Sequence, residues 1–183
     1  MNRNSLILPY AESPAAYVQA VYVQYDPRAI GAAADVVAII EDAAPWAEVE
    51  HIGSTAIPGC AGKGIVDLMA MYPTNRLVAT RAALDGLGFQ RQKVGHIFPE
   101  ERPMRIGAVE HDGTRYRLHV HVIADTSPEV ETLRRFRDVL RTDRALRDAY
   151  QARKRAILES GLQERRAYTD AKGEFIRSVI GPH

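Results

Sequence analysis

The stretch HIGSTAIPGCAGKGIVD, residues 51–67, decides the fold of this chain. It begins in a short mixed segment that we interpret as a strand ending at Gly53. It ends in an apolar run that is typical of a buried strand, and this second strand carries one carboxylate, Asp67. The Gly-Ser pair at 53–54 predicts a turn where the first strand stops.

Outward from this stretch, the sequence predicts an α+β chain with a mixed sheet. Asp26-Pro27 indicates a helix start, Gly88 indicates a helix end, and Asp112-Gly113 is typical of a hairpin turn. The predicted elements are, in chain order, a helix over 26–42, strands over 47–52 and 63–72, a helix over 75–87, a strand beginning at Phe89, strands over 105–109 and 116–123, and helices beginning at Ser127, near Leu146 and near Tyr168.

These elements predict a single domain, residues 1–183, in three parts. Residues 1–12 are expected to be a loose leader, residues 20–124 a mixed α/β body, and residues 125–183 a helical tail packed on the body. No Gly/Ser-rich linker separates the body from the tail, which favours one domain over two.

The composition narrows the class of protein. The chain has 46% hydrophobic and 26% charged residues, as soluble domains do, and a formal net charge of +1 gives no general attraction to nucleic acid or an acidic membrane. Its one cysteine, Cys60, excludes an intrachain disulfide and a Cys-rich zinc site. With no secretory signal or bilayer-spanning run evident, we expect a cytoplasmic protein whose partner is a small molecule. The oligomeric state cannot be read from the sequence.

Ser54 and Asp67 are candidate catalytic residues. A glycine turn lets the backbone approach a ligand's phosphates, and two carboxylates at positions i and i+2 of a strand share one face, which suits Mg²⁺. Here the residue two beyond Asp67 is Met69, a soft ligand without charge. The standard two-carboxylate magnesium site is therefore incomplete.

The longer pattern resembles the GrpB family, which belongs to the nucleotidyltransferase-fold superfamily. The resemblance runs from about residue 20 to the C-terminus. The chain departs from the family at Gly64, where proline is usual, and at Met69, where many members have an acid. The matching motifs are HIGSTAIPG (51–59), AGKGIVDL (61–68), YDP (25–27), LHV (118–120), FRD (136–138) and YTDAK (168–172).

The resemblance implies a nucleotidyltransferase-like fold with a C-terminal helical subdomain, in which Gly53 and Ser54 approach a nucleotide's phosphates. It also singles out Arg137 for contact with a phosphate or with Asp67. Members of the family occur fused to dephospho-coenzyme A kinase, which suggests a link to coenzyme A metabolism.

Further ligand contacts are expected around the turn and in the tail. Lys63 follows a glycine-rich stretch and precedes a strand, where its charge suits a phosphate. Thr55 is expected to support Ser54 in the turn. Tyr168 and Lys172 are four residues apart and so share one helix face, which would complete a ligand pocket if it turned toward the sheet.

His119 and His121 alternate on a predicted strand and so share a face. Together with Asp67 they form a candidate metal site, better suited to Zn²⁺ or Mn²⁺ than to Mg²⁺. Alternatively, His119 and His121 contact a phosphate or act as a general base, and His119 is the candidate catalytic residue of the two.

Three functional hypotheses remain open at this point. The first is a diverged nucleotidyltransferase-fold protein that binds a nucleotide or another phosphorylated small molecule, with or without nucleotidyl transfer. The second is a non-catalytic accessory or binding module. The third is a metal-dependent hydrolase that uses Asp67, His119 and His121.

Overall fold

A computed structural model describes residues 7–10, 22–93 and 97–159. Its strands are β1 (Glu48–Ile52), β2 (Ile65–Tyr72), β3 (Gln90–Arg91), β4 (Met104–His111) and β5 (Thr114–Ala124). Its helices are α1 (Arg28–Ala43), α2 (Leu77–Gly86), α3 (Pro128–Thr142) and α4 (Arg144–Glu159), with a short 3₁₀ helix over Ser54–Ala56. The third helix predicted in the tail, with Tyr168 and Lys172, lies outside the described residues.

The strands form one five-stranded sheet in the order β1-β2-β5-β4-β3. β2 and β5 at its centre run parallel, and the other neighbouring pairs run antiparallel. The predicted α+β class with a mixed sheet is therefore confirmed. The long connection from β2 to β5 passes through α2, β3 and β4, as a parallel crossover requires.

Local signals in the sequence explain where several elements begin and end. The Asp26 carboxylate accepts the Arg28 backbone N–H at the start of α1, and the Ser127 hydroxyl accepts the Glu129 N–H at the start of α3. The β4–β5 hairpin turns at Asp112 and Gly113, which both have positive φ, as an Asp-Gly turn of this type requires.

One face of the sheet is covered by α1 and α2 and holds the main core. Alternate residues of the two central strands point into it, and all are fully buried. They are Val66, Leu68 and Ala70 of β2 and Leu118, Val120 and Val122 of β5. Burying this apolar area supplies most of the driving force for folding.

The opposite face is covered by the tail only in part. Helix α3 packs Val130 and Leu133 against a cluster of Ile52, Met69, Met71 and Ile123. The rest of this face, at the start of β2, carries the polar side chains described below. Within the described ranges, no helix is both long and apolar enough to cross a bilayer.

Two segments differ from the structure that the sequence predicts for them. In the expected leader, Leu8 pairs with Ala108 by two backbone hydrogen bonds and Ile7 is buried, so residues 7–8 extend the edge of the sheet beside β4. The strand expected from Phe89 is only two residues long. Phe89 is instead occupied in ending α2, because its N–H bonds to Leu84 O while Gly88 adopts φ +98°.

Candidate functional site

The centre of the candidate site is Asp67 on β2, with two histidines beside it on β5. Asp67 lies directly across the parallel ladder from His119, so both side chains point to the partly open face. The Oδ1 atom of Asp67 is 3.4 Å from His119 Nδ1 and 3.9 Å from His121 Nε2. The Asp67 side chain keeps 25% of its surface exposed. The structure therefore brings together three residues that the sequence placed in the site.

The charge of Asp67 is stabilised by these imidazoles. Burial alone would raise the pKa of the carboxyl group, but hydrogen bonding and electrostatic attraction from His119 and His121 hold it well below its usual range. Burial in turn lowers the pKa of His121, although Asp67 opposes this. At neutral pH the site thus holds an ionised carboxylate beside a neutral His121 ring.

The Gly53–Ser54 turn lies directly against this carboxylate. Gly53 has φ +73°, and a Cβ added there would lie 2.6 Å from Asp67 Oδ2. Only glycine both adopts this conformation at low cost and leaves room for the carboxylate. On its other side, a Cβ on Gly62 would collide with the Ser54 hydroxyl oxygen, so the 59–62 loop packs closely against the turn.

His51 and Thr55 hold the turn from behind. In the β1–β2 register His51 pairs with Leu68, so its ring is on the α1 side of the sheet and not with Asp67. The Thr55 hydroxyl donates to Ile65 O at 3.0 Å and lies 2.9 Å from His51 Nε2, so the histidine nitrogen donates to Thr55. Burial lowers the pKa of His51 to about 4, which keeps this tautomer neutral. The Thr55 side chain is thus engaged in positioning the turn.

The two-carboxylate magnesium site of the superfamily does not fit these residues. Met69 is fully buried and belongs to the apolar cluster under α3. The residue opposite Met69 on β1 is a carboxylate, Glu50. Glu50 is occupied by Arg134 and by Arg137, whose Nη1 lies 2.6 Å from Glu50 Oε2. One carboxylate is left for the site, so no step of the chemistry is assigned to Mg²⁺.

The transition-metal triad gains no support from the geometry either. Among residues 7–10, 22–93 and 97–159, no group of three His, Cys, Asp or Glu side chains is arranged to hold a metal ion. Asp67, His119 and His121 are neighbours, and their contacts at 3.4 Å and 3.9 Å are electrostatic. Their metal role stays a prediction.

Arg137 lies at the edge of the site rather than at its centre. Besides Glu50, its guanidinium bonds to Asp138 and to the backbone carbonyl of His51. One of its two predicted partners, Asp67, is not among these bonds. Arg137 thereby fastens α3 to β1 just before the Gly53 turn, and its contact with a ligand phosphate stays a prediction.

The loop between the turn and β2 carries Lys63, and Lys154 of α4 contacts the same loop from the tail. Lys63 is half-buried, and Arg117 on β5 fixes its backbone carbonyl at 3.0 Å. Lys154 of α4 is 3% exposed, bonds to Ala61 O and lies 3.6 Å from Cys60 Sγ. A Cβ on Gly62 would lie 3.6 Å from its Nζ, so the tail reaches under the turn.

Sequence reasoning gave Lys154 too little weight. The available signal was the spacing of Tyr150 and Lys154, one helical turn apart. In the structure the Lys154 ammonium lies 4.2 Å from the centre of the Tyr150 ring. Arg141 was missed as well: its Nε bonds to Ala56 O at the end of the 3₁₀ helix.

Comparison with known proteins identifies relatives of this chain. The sequence model of a family described as "GrpB protein" matches residues 19–181. A UPF0157 protein of Halalkalibacterium halodurans is 28% identical over 133 residues, which are 73% of this chain and 65% of that protein. A UPF0157 protein of Streptomyces coelicolor is 32% identical over 132 residues, which are 72% of this chain and 66% of that protein. The chain thus spans just under two thirds of the length of these relatives.

Two solved structures are similar in fold. The crystal structure of the conserved protein GrpB from Enterococcus faecalis matches with a TM-score of 0.63 and 18% identity, over 88% of this chain and 100% of that one. The Cid1 poly(U) polymerase matches with a TM-score of 0.47 and 11% identity, over 75% of this chain and 42% of that one. The resemblance to the GrpB family found in the sequence is confirmed by the family match, and the first of these structures confirms the fold.

Proposed function

The chain belongs to the GrpB family, and from this premise we propose that it binds a phosphorylated small molecule, such as a nucleotide, between the Gly53–Ser54 turn, Asp67 and His119. The observation that carries the proposal is the contact between Gly53 and Asp67. A glycine that leaves room for a carboxylate brings the backbone of the turn and the polar residues of β2 and β5 to one half-open place.

The charges around this place are compatible with an anionic ligand. Asp67 is negative, and the His119 and His121 rings beside it stabilise this charge. Arg141 and Arg137 both act electrostatically on His51, so their positive field extends to the turn. Lys63 follows the turn in the same loop. In this proposal Ser54 donates its hydroxyl to a phosphate oxygen, and Lys63 and His119 supply positive charge or hydrogen-bond donors.

The buried Met69 favours ligand binding over the standard transfer chemistry. A second acid would have to be desolvated in an apolar cluster, and the one nearby carboxylate, Glu50, is neutralised by two arginines. This observation supports a diverged nucleotidyltransferase-fold protein or an accessory binding module. It gives no support to the metal-dependent hydrolase.

A thermal-shift screen tests the proposal. The protein is heated with ATP, UTP, coenzyme A, 4′-phosphopantetheine or pyrophosphate, each with and without Mg²⁺ or Mn²⁺. A ligand that binds the folded state raises the melting temperature by mass action. The shift should fall in Ser54→Ala, change in Asp67→Asn, which removes the charge beside the ligand, and remain in Arg144→Ala, which changes a side chain that is 86% exposed.

Each result decides the assignment. No shift with any of these compounds, or equal shifts in wild type, Ser54→Ala and Asp67→Asn, would show that the site is wrong. Turnover of a shifting nucleoside triphosphate separates an active transferase from a binding module. Metal analysis of the purified protein tests the hydrolase.

A further inference from the structure

Within the described part of the chain, two polar atoms beside the site are buried without a hydrogen-bond partner. They are Nδ1 of His121 and Nη1 of Arg102. A buried polar atom without a partner destabilises the folded state, so such atoms are rare in folded proteins and call for an explanation. The other two nitrogens of the Arg102 guanidinium bond to Glu129, and Nε2 of His121 faces Asp67. Only Nη1 and Nδ1 of these two side chains are left without a partner.

Arg102 is held in a fixed orientation. Its Nε and Nη2 donate to the two oxygens of Glu129, at 2.8 Å and 2.5 Å, at the start of α3. Burial alone would raise the pKa of Glu129, but the bonds from Arg102 keep it below its usual range, so the ion pair is formed at neutral pH. Because the guanidinium is planar and rigid, this two-point contact also fixes the direction of the free donor Nη1.

His121 offers the complementary atom. Its Nε2 is the nitrogen nearest to the negative Asp67, so the ring proton belongs there and Nδ1 presents a lone pair. Phe98 contacts both partners: its ring centre is 5.6 Å from that of His121 and 5.3 Å from the Arg102 guanidinium carbon. The charge of Arg102 also acts on His121. A fixed donor and a fixed acceptor therefore lie beside one aromatic ring.

We propose that Arg102 and His121 form a subsite for a hydroxyl group of the ligand, which Phe98 covers in the absence of ligand. A hydroxyl accepts a hydrogen bond from Arg102 and donates one to His121 Nδ1. A carboxylate or an ionised phosphate oxygen has no proton for the imidazole, and an ammonium group is repelled by the guanidinium. Of these groups, only the hydroxyl satisfies both atoms.

The subsite narrows the class of ligand. His121 is two residues beyond His119 on β5, which is about 7 Å along the strand. The ligand should therefore carry a hydroxyl group about that far from its phosphorylated part, as phosphorylated sugars and nucleotides do. As a statement about the ligand, this inference rests on the proposed function, but the two sites can be tested with separate probes.

Histidine ring NMR reads the two sites independently. Protein labelled with ¹⁵N-histidine is titrated with D-ribose, which has hydroxyls and no phosphate, and separately with inorganic phosphate. Resonances are assigned by His119→Gln and His121→Gln. Ribose should move the His121 Nδ1 resonance toward that of a hydrogen-bonded nitrogen. Phosphate should move His119 in wild type and not in Ser54→Ala, and failure of that result alone contradicts the proposed function.

Matched variants test the role of Arg102. Arg102→Lys keeps the charge opposite Glu129 but removes Nη1, and should weaken ribose binding about tenfold, as loss of one hydrogen bond to a charged group does. Arg91→Gln changes a neighbouring arginine that is 66% exposed and should bind ribose as wild type does. Melting curves confirm that each variant is folded.

Phe98→Ala removes the covering ring. This variant tests the subsite in the case where Phe98 keeps ribose out of the wild-type protein. Ribose binding in either wild type or Phe98→Ala, lost in the same background with Arg102→Lys, supports the subsite. No movement of His121 Nδ1 in both proteins, or equal movement with Arg102→Lys, overturns it.

Discussion

The two faces of the central strands differ sharply although they share one backbone. On the α1–α2 face, β2 and β5 contribute aliphatic residues that are completely buried. On the other face, the alternate positions of the same strands carry Asp67, His119 and His121 near the turn, and Met69 under α3. The first face stabilises the fold, and the second is divided between packing and a polar site.

The difference shows that coverage by helix α3 determines whether a residue on this face is part of the core or of the polar site. Asp67 and Met69 are two residues apart and point the same way, yet one is a quarter exposed and the other is completely buried. The apolar contact between helix α3 and β2 includes Met69 but does not reach Asp67. On β2, the positions beyond that boundary are part of the core, and Asp67 before it is available for a ligand.

The largest loss of stability should come from an acidic residue at position 69, on the buried side of that boundary. Met69→Asp restores the acidic pair in sequence but buries a carboxylate among apolar side chains, and should lower the free energy of unfolding by about 4 kcal/mol. Met69→Leu, which preserves volume, should cost less than about 1.5 kcal/mol. Urea denaturation measures both. Equal stability of the two variants would mean that this position is open to solvent and that an acidic pair is tolerated.

Substitutions at two neighbouring residues of β5 compare how much each face contributes to stability. Leu118→Ala leaves a cavity on the fully buried face and should cost about 3 kcal/mol. His119→Ala, one residue away on the partly open face, should cost less than about 1.5 kcal/mol because water replaces the ring. Chemical denaturation of both variants gives the difference. If His119→Ala were as costly as Leu118→Ala, the second face would be a core as well.

A titratable ring on the α1 side of the sheet makes stability depend on pH. The pKa of His51 falls from its ordinary value of 6.5 to about 4 on folding, so the unfolded chain binds the proton more readily. The free energy of unfolding should therefore decrease as the pH falls from 6.5 to about 4. The expected decrease between pH 7 and pH 5 is about 2 kcal/mol. Urea unfolding at the two pH values measures the loss.

His51→Gln separates this effect from that of other groups. His121, whose pKa is also lowered by burial, adds to the loss in the same direction. The Gln variant keeps a donor for Thr55 but cannot be protonated, so its stability should fall less between pH 7 and pH 5 than that of wild type. An identical pH dependence in both proteins would contradict the burial of this ring.

The smallest predicted difference concerns the contact between the turn and Asp67. Gly53→Ala places a side chain at φ +73° and ψ −172°, and Gly59→Ala places one at φ +76°, so each should cost about 1 to 3 kcal/mol in backbone strain. Only at Gly53 does the new Cβ meet Asp67, whereas nothing lies within 4 Å at Gly59. Gly53→Ala should therefore cost about 1 kcal/mol more. Equal costs would show that the carboxylate moves aside freely.

Much of the fold could be predicted from local sequence. Asp26-Pro27 and Ser127-Pro128 locate helix starts, and Asp112-Gly113 locates a hairpin, because a cap or a positive φ depends on few neighbouring residues. The short β3 was less predictable. Its length depends on how Phe89 ends α2 and on its pairing with β4, which lies more than ten residues away.

The candidate site was predictable in its residue types but not in all its partners. Gly53, Asp67 and His119 follow from the motif and from strand alternation. The ion pair of Arg137 with Glu50 does not, because it depends on where α3 crosses β1. The positions of Lys154 under the turn and of Arg102 beside His121 likewise depend on how distant segments pack together.

The sequence by itself determined the family, the α+β class and the one carboxylate of the site, because these follow from short motifs and from the two-residue period of a strand. Tertiary structure decided which side of the sheet each residue serves. Cross-strand register turned His51 away from Asp67, and the coverage by α3 made Met69 part of the core. The physical reason is that burial and charge pairing depend on neighbours that are distant in the chain, and the stretch from His51 to Asp67 contains too few of them.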